Sequence, residues 1–476
     1  CTTADAPWYS KAMPALRQLI YVLFFAACIL SFSSLDQWWH LKSGELMLAR
    51  NEVLKSDPFS HTLNGTNWVA HSWGGAVAMT LIVKAGGFGL LQVIKGGLFL
   101  LFLILSIRLA KKRGAKEGLP LLLLQLAAVA FTCRVVVARP KVVTVLFILL
   151  QEWLVLLGKE KKSWFWAFPP LYLLWANMHG GFVVGLALLG LHFGGQLFDE
   201  GKKCWPILLS LLFSALAGLL NPRGLELYIY PFQYLEGKSF PQHIIEWQPM
   251  WPHSSIIQIL AIIALFGLLV RRCYQSPKDR WEDLLVSSFS VLLSLRFQRN
   301  EYLLAATLVP AAAATIPQWS RFIWLKEKES KRHKAWVLLP VILISLWAIG
   351  KGPAGGWTSW NKILCPQAVA HLKANNYGPR LVHDFGVAGY LIHQLWPDYR
   401  VFIDGRNDFY HREGLFDEYL TLFKGKEKAR PILQKRKCQT AVVGPQSPLR
   451  DLLVDLGWKT VFRSKRAVVL INPSAD

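Results

Sequence analysis

The sequence predicts a polytopic α-helical membrane protein with about eleven transmembrane helices and a small extracytoplasmic α/β domain at its C-terminal end. Three observations predict it. First, the 476 residues are 53% hydrophobic and only 17% charged, and the mean hydropathy is +0.31. That is too apolar for a soluble enzyme of this size. Second, every other connection between apolar runs is rich in Lys and Arg, as the positive-inside rule requires. Third, the composition turns polar after Gly350, and no apolar run long enough to span follows.

The net charge of +23 would suggest a nucleic-acid partner in a soluble protein. Here the basic residues collect in predicted cytoplasmic loops, so no nucleic acid is expected. Seven scattered cysteines without a CxxC pair indicate neither a metal site nor a disulfide framework. The chain starts at Cys1 rather than at a methionine, and a trimmed start is expected.

Lys11 and Arg17 precede the first apolar run, 19–34, and place the N-terminus in the cytoplasm. The first outer loop, 35–75, follows. It carries Asp36, Trp38, Trp39 and His40, a short amphipathic segment, Asp57-Pro58-Phe59-Ser60, and then Trp68, His71 and Trp73. Residues 74–86 are apolar but short, and read as interfacial. The run 90–107 leads inside to Arg108, Lys111, Lys112 and Arg113, and 119–131 leads out to Arg134, Arg139, Pro140 and Lys141. The run 142–157 returns to Lys159, Lys161 and Lys162, and 164–175 emerges at Asn177-Met178-His179-Gly180-Gly181. The run 182–198 returns to Lys202 and Lys203, and 206–220 exits to a long outer loop, 221–254, containing Arg223 and Glu246. Runs 256–270, 284–295, 302–316 and 336–349 complete the set. The third-last ends at Arg296 and Arg299 outside, and the basic loop 321–334 lies inside. An odd number of crossings puts the C-terminal part outside. The expected domains are thus 1–350 and 351–476.

In the second domain, strands at 381–383, 401–403 and 440–443 alternate with helices at 367–375, 387–395, 413–423 and 450–456, and a hairpin closes the chain at 459–471. Asp384 and Asp404 fall just past the carboxyl ends of strands, where α/β sheets place ligand-facing polar groups.

Six elements recur in order along the chain. They are D-x-W-W-H-L-x-x-G (36–44), D-P-F-S (57–60), N-x-H-G-G (177–181), N-P-x-G (221–224), E-W (246–247) and F-I-D-G-R-x-D (402–408). In this plan and these elements the sequence resembles the GT-C superfamily of membrane glycosyltransferases, which contains the protein O-mannosyltransferases and the aminoarabinose lipid A transferases. The nearest resemblance is to uncharacterised bacterial members. It implies an enzyme of the bacterial cytoplasmic (inner) membrane acting in the cell envelope. It would use a polyprenyl-phosphate sugar donor beside membrane lipid. The chain departs from the expected pattern at Ser72, where an acid would follow His71.

The residues by themselves support such chemistry. A phosphate-linked donor needs cations for the phosphate and a base for the acceptor. Arg134, Arg139, Lys141, Arg296 and Arg299 stand at outer ends of spans, and arginine's planar fork suits phosphate. Asp36 and Asp57 are the candidate bases, since partial burial raises a carboxylate's proton affinity. His40, His71, His179, Arg223 and Glu246 would shape the pocket. Asp36 with His40 or His71 could hold a divalent metal, although their spacing is not diagnostic.

Simpler roles compete at each position. Asp36 could cap the helix that starts at Gln37. Trp38 and Trp39 read as interface anchors. Arg134 and Lys141 could snorkel to head groups. His179 could be a packed turn residue, and Asp404-Gly405-Arg406-Asn407-Asp408 a turn held by its own ion pair. Two other functions stay open. One is a transporter or flippase for an anionic lipid or glycan, against which stand the lack of an internal repeat and of ionisable residues well inside a span. The other is a catalytically degenerate glycan-binding member, suggested by Ser72.

Overall fold

The computed structural model describes residues 7–31, 34–233, 244–275, 280–313, 331–350 and 364–474. The first six residues and ten of the expected basic loop, 321–330, lie outside the described residues, as does Lys278. By contact the chain divides into two units. The first comprises Cys1–Ser31, Ala85–Gly224 and Ile244–Pro353; the second comprises Phe32–Lys84, Leu225–His243 and Ala354–Asp476. The expected first outer loop therefore packs with the C-terminal residues.

The first unit is helical. Among the described residues four helical stretches, not eleven, are long and apolar enough to cross a membrane: Trp73–Lys112, Lys141–Glu160, Phe182–Gly218 and Ile256–Gln275. The expected interfacial segment 74–86 instead continues into 90–107 as one 40-residue helix, broken only at Gly86 and at Gly87, whose φ of 69° is open to glycine at little cost. One expected pair of crossings is merged. Residues 182–198 and 206–220 join through the single turn Gly201–Cys204. Others are too short. Phe168–Met178 has 11 residues and rises about 16 Å, against a hydrocarbon core of about 30 Å. The expected run 302–316 is split into Tyr302–Ala306 and Leu308–Ala313, both buried.

The interior of this unit also corrects the expectation that no ionisable residue lies inside a span. His192, in Phe182–Glu200, bonds Glu282 through Nδ1 at 2.7 Å and Glu152 through Nε2 at 2.9 Å. Asp283 pairs with Arg113 at 2.6 Å and with Arg272 at 2.7 Å. Buried charges are tolerated when each has a counter-charge, and these clamp four helices together.

The second unit is built on a four-stranded sheet of order β1-β2-β4-β3, with β1 Leu381–His383, β2 Thr440–Val443, β3 Lys459–Arg463 and β4 Val468–Ile471. β1 and β2 run parallel; β4 is antiparallel to both β2 and β3. β2 and most of β4 are buried, as their runs of Val, Leu and Ile require. The expected strand 401–403 appears only as isolated bridges, Arg380↔Arg400 and Ser60↔Val401. Its other partner is the D-P-F-S stretch: Val401 N–H donates to Phe59 O at 3.1 Å and His61 N–H to Val401 O at 2.9 Å.

The helix Gln37–Arg50 lies against the helix Ala388–Leu395. Trp38 meets Tyr390 edge-on at 5.3 Å and His393 at 5.0 Å. Trp39 meets Trp68 at 6.1 Å. Both tryptophans are about 5% exposed, so they are core residues of this unit and not the interface anchors their pairing suggests.

Candidate functional site

The second unit holds Asp36, His40, Asp57 and His71. The first holds Arg134, Arg139, His179, Arg223, Glu246, Arg296 and Arg299. Each set is taken separately.

Asp36 occupies the N-cap position of Gln37–Arg50, yet its side chain makes no capping hydrogen bond. The capping role is therefore not what the carboxylate does. It lies instead on Gly405: a Cβ there would overlap Asp36 Oδ1, and Trp39 Nε1 would sit 3.0 Å from the same point. Only glycine at 405 leaves room for the acid. Asp408, three residues on, is half-buried with Oδ2 enclosed and unpartnered among the described residues. Burial, aided by the negative charge of Asp36, pushes its pKa up to about 7. Two carboxylates thus share one niche, one of them prone to hold a proton near neutrality.

Asp57 is placed differently. It is 1% exposed, and both oxygens are committed. Oδ1 accepts from Phe59 N–H at 2.9 Å and from Arg406 Nη2 at 2.6 Å; Oδ2 accepts from Ser60 N–H at 3.2 Å and from the Ser60 hydroxyl. This is an Asx turn locked by an ion pair. The geometry corrects the expectation of a base at Asp57: the acid fixes the loop. Arg406 also donates from Nε and Nη2 to Asp404 at 2.8 and 2.6 Å, while Tyr410 donates to Asp404 at 2.7 Å. Trp68 and Phe59 cover the guanidinium, with ring centroids at 4.6 and 5.2 Å. The expected local ion pair in 404–408 is present, and it reaches across 349 residues to Asp57.

His40 stacks on Trp39 at 3.6 Å, and His71 tilts against Tyr230 at 5.2 Å. With Trp68 and Ser72 they line a space of about 10 Å³, room for one water and no more. Ser72 lies buried there with its hydroxyl unpartnered among the described residues, so an acid at 72 would carry a charge into this enclosure. Among the described residues no group of three or more His, Cys, Asp or Glu could hold a metal ion. Asp36, His40 and His71 therefore do not form a divalent-ion site among the described residues.

Asp384, expected to face a ligand, instead accepts from Gly444 N–H at 2.6 Å and from the Ser447 hydroxyl, and so fixes that turn.

In the first unit the cations gather around Glu246. Arg139 Nη1 lies 3.3 Å from both Glu246 oxygens. Lys141 donates to Arg299 O at 2.7 Å, and the Arg299 guanidinium lies over Trp247 at 4.2 Å. Burial alone would raise the Glu246 pKa, but Arg139, Arg299 and Lys141 outweigh it and hold it at about 2. Three cations thus face one carboxylate. Arg134 is tied to Gln298, to His253 O at 2.6 Å and to Glu301 at 3.5 Å, so it does more than snorkel. Arg296 is exposed and rests on Phe297 at 4.8 Å, outside this gathering. Arg223 is half-buried, and its backbone N–H caps Asn221 Oδ1 at 2.8 Å. His179 serves a turn: its Nδ1 accepts from Gly181 N–H at 3.0 Å and from the Thr144 hydroxyl at 2.9 Å, and that hydroxyl accepts from Trp175 Nε1. An apolar groove of about 370 Å³ runs along Leu23, Phe24, Ala27, Val129, Cys133 and Val136.

Sequence reasoning passed over Asp408, Gly405 and Trp39 as site residues. Gly405, between two charged residues of a quoted motif, was the available signal for a close approach.

No protein-family model matches the sequence, and no curated protein sequence matches it. Solved structures do match by fold. The archaeal oligosaccharyltransferase AglB from Archaeoglobus fulgidus, in complex with an inhibitory peptide and a dolichol-phosphate, superposes with a TM-score of 0.58 at 10% identity, over 92% of this chain and 70% of that one. The Archaeoglobus fulgidus oligosaccharyltransferase in its apo form gives 0.56 at 10% identity, again over 92% and 70%. The same enzyme tethered to an acceptor peptide containing the NVT sequon gives 0.56 at 11%, over 92% and 69%. The chain therefore shares the fold of these oligosaccharyltransferase structures.

Proposed function

We propose that the protein is an inverting membrane glycosyltransferase that moves a sugar from a polyprenyl-phosphate-linked donor to a lipid, glycan or protein acceptor on the outer face of a bacterial cytoplasmic membrane. The observation that carries this reading is the Asp36 carboxylate. It heads a helix without capping it, and it shares a niche with Asp408. The fold likeness to an oligosaccharyltransferase solved with a dolichol-phosphate supports the donor class.

In this reading Asp36 accepts the proton of the acceptor hydroxyl or amide as its heteroatom attacks the anomeric carbon, and the phosphate departs with the bonding pair. Within the first unit, Arg139 and Arg299 beside Glu246 are the candidates for binding an anionic phosphate group. The apolar groove in the first unit suits a lipid tail. Asp57 and Arg406 hold the loop that carries the site.

The test is Asp36→Asn in a reconstituted assay with polyprenyl-phosphate sugar. Transfer falls by roughly 10²–10⁴-fold, the usual worth of a positioned base, while thermal stability is kept. Unchanged transfer would sink the assignment.

A transporter is the second reading, and the His192–Glu152–Glu282 cluster is the observation in its favour. Those groups are mutually paired, which suits a clamp better than a pathway. Solute uptake into vesicles without a covalent product would reverse the order.

A further inference from the structure

A cavity of about 570 Å³ in the second unit lies at the end of the sheet where β1, β2 and β3 begin and β4 ends. Its rim carries Arg380, Arg430, Lys437, Gln434, Gln439 and Trp458, and among the described residues its lining contains no carboxylate. Its volume is that of an ordinary small-ligand pocket.

Charge pairing distinguishes the rim from its surroundings. Lys426 pairs with Asp455 at 2.8 Å, and Arg436 with Glu418 at 2.6 Å. Arg380, Arg430 and Lys437, which face the cavity, make no ion pair among the described residues. Lys437 also holds a left-handed backbone, φ 50°, just past the helix Lys426–Lys435. Glycine is the usual residue at such a position, so a lysine there is held at a conformational cost. Arg430 lies within the helix Lys426–Lys435 and Lys437 lies two residues past its end. Three cations around one cavity suit a chain that carries several separated negative charges. Trp458 and the Gln434 amide add an apolar edge and a hydroxyl-binding group.

We propose that this cavity binds an acidic oligosaccharide, its carboxylates on Arg380, Arg430 and Lys437. The anionic character rests on the cavity alone, and the saccharide identity rests on the glycosyltransferase reading. The site would hold a growing or acceptor glycan away from the transfer site.

The test uses the full chain in nanodiscs of neutral lipid, with oligogalacturonate, a neutral malto-oligosaccharide and inorganic pyrophosphate as probes in calorimetry. Oligogalacturonate binds, more weakly as salt rises, and the exposed double variant R430Q/K437Q loses roughly ten-fold or more in affinity, as expected for losing two charge-assisted contacts. Three results would overturn the proposal: equal affinity in the double variant, equal affinity for the neutral chain, or pyrophosphate binding as tightly and displacing the glycan. Asp36→Asn binds oligogalacturonate as the parent does. Glycan binding by a parent protein that transfers no sugar would refute the enzyme reading and leave this site standing.

Discussion

The two units carry mirror-image charge patterns. In the first, a single carboxylate, Glu246, faces Arg139, Arg299 and Lys141. In the second, a single guanidinium, Arg406, is held by Asp57 and Asp404 under a cover of aromatic rings. The difference is one of surplus and enclosure. The Arg406 network is fully buried and its hydrogen bonds are turned inward, so it can only hold structure. The Glu246 gathering is partly open and has cations to spare, so it can take an anion. Asp36 belongs to neither network and lies on Gly405.

The largest effect expected from this contrast is on stability. Arg406→Met strands two buried carboxylates, and losing one partner of such a network costs about 3–5 kcal/mol. The measurement is thermal unfolding of the purified protein in detergent. A melting curve like the parent's would show that the network does not join the 57–60 loop to 404–406. Asp36→Asn, at a carboxylate that lies on the neighbouring Gly405, should leave that curve in place.

The next effect is pH-dependent. Asp408 has a folded pKa of about 7 against about 3.9 for an unfolded aspartate. The folded state therefore holds an extra proton between those values, and stability falls as pH rises from 4 to 7, by a few kcal/mol at most. Asp408→Asn removes that slope and makes the protein more stable than the parent at pH 8. A slope that survives the substitution would assign the proton elsewhere and separate Asp408 from Asp36.

Much of this was legible in the sequence, for physical reasons that differ by element. The strands 381–383 and 440–443 and the final hairpin announced themselves as short β-branched runs between turn residues. The GT-C plan was carried by ordered motifs. The crossings were not countable, because hydropathy cannot see that Gly87 merely kinks a helix or that residues 201–204 join two. Nor could it show that Glu152 and His192 enter apolar segments with partners attached. Asp36 drew the functional reading because it follows the first apolar run. Asp57 looked identical to it in sequence, and only the distant Arg406 separates their roles. Asp384 was misjudged for a similar reason: its partners, Gly444 and Ser447, lie 60 residues on.

A smaller effect tests the cation surplus. Glu246→Gln removes a carboxylate that Arg139, Arg299 and Lys141 share. Its ion pair is half-exposed, so stability falls by about 1 kcal/mol or less. Anion affinity moves the other way. Binding of polyprenyl phosphate should tighten about two- to five-fold once the competing negative charge is gone. Weaker binding would make Glu246 a ligand-positioning group and not a counter-ion.

The smallest effect separates a packed turn from a pocket. His179 Nδ1 accepts from both Gly181 N–H and the Thr144 hydroxyl, which leaves the ring hydrogen on Nε2. Thr144 in turn is held by Trp175 Nε1 at 2.9 Å. This relay ties the end of one helix, Phe168–Met178, to Lys141–Glu160. Truncating the ring removes two acceptor contacts and should cost about 1–2 kcal/mol. His179→Asn keeps an acceptor near the turn and should recover part of that loss. If His179 serves only the turn, sugar transfer per folded molecule is the same in both variants. If transfer collapses in His179→Asn while the melting temperature recovers, the histidine touches substrate, and the first unit contributes more than cations to the reaction.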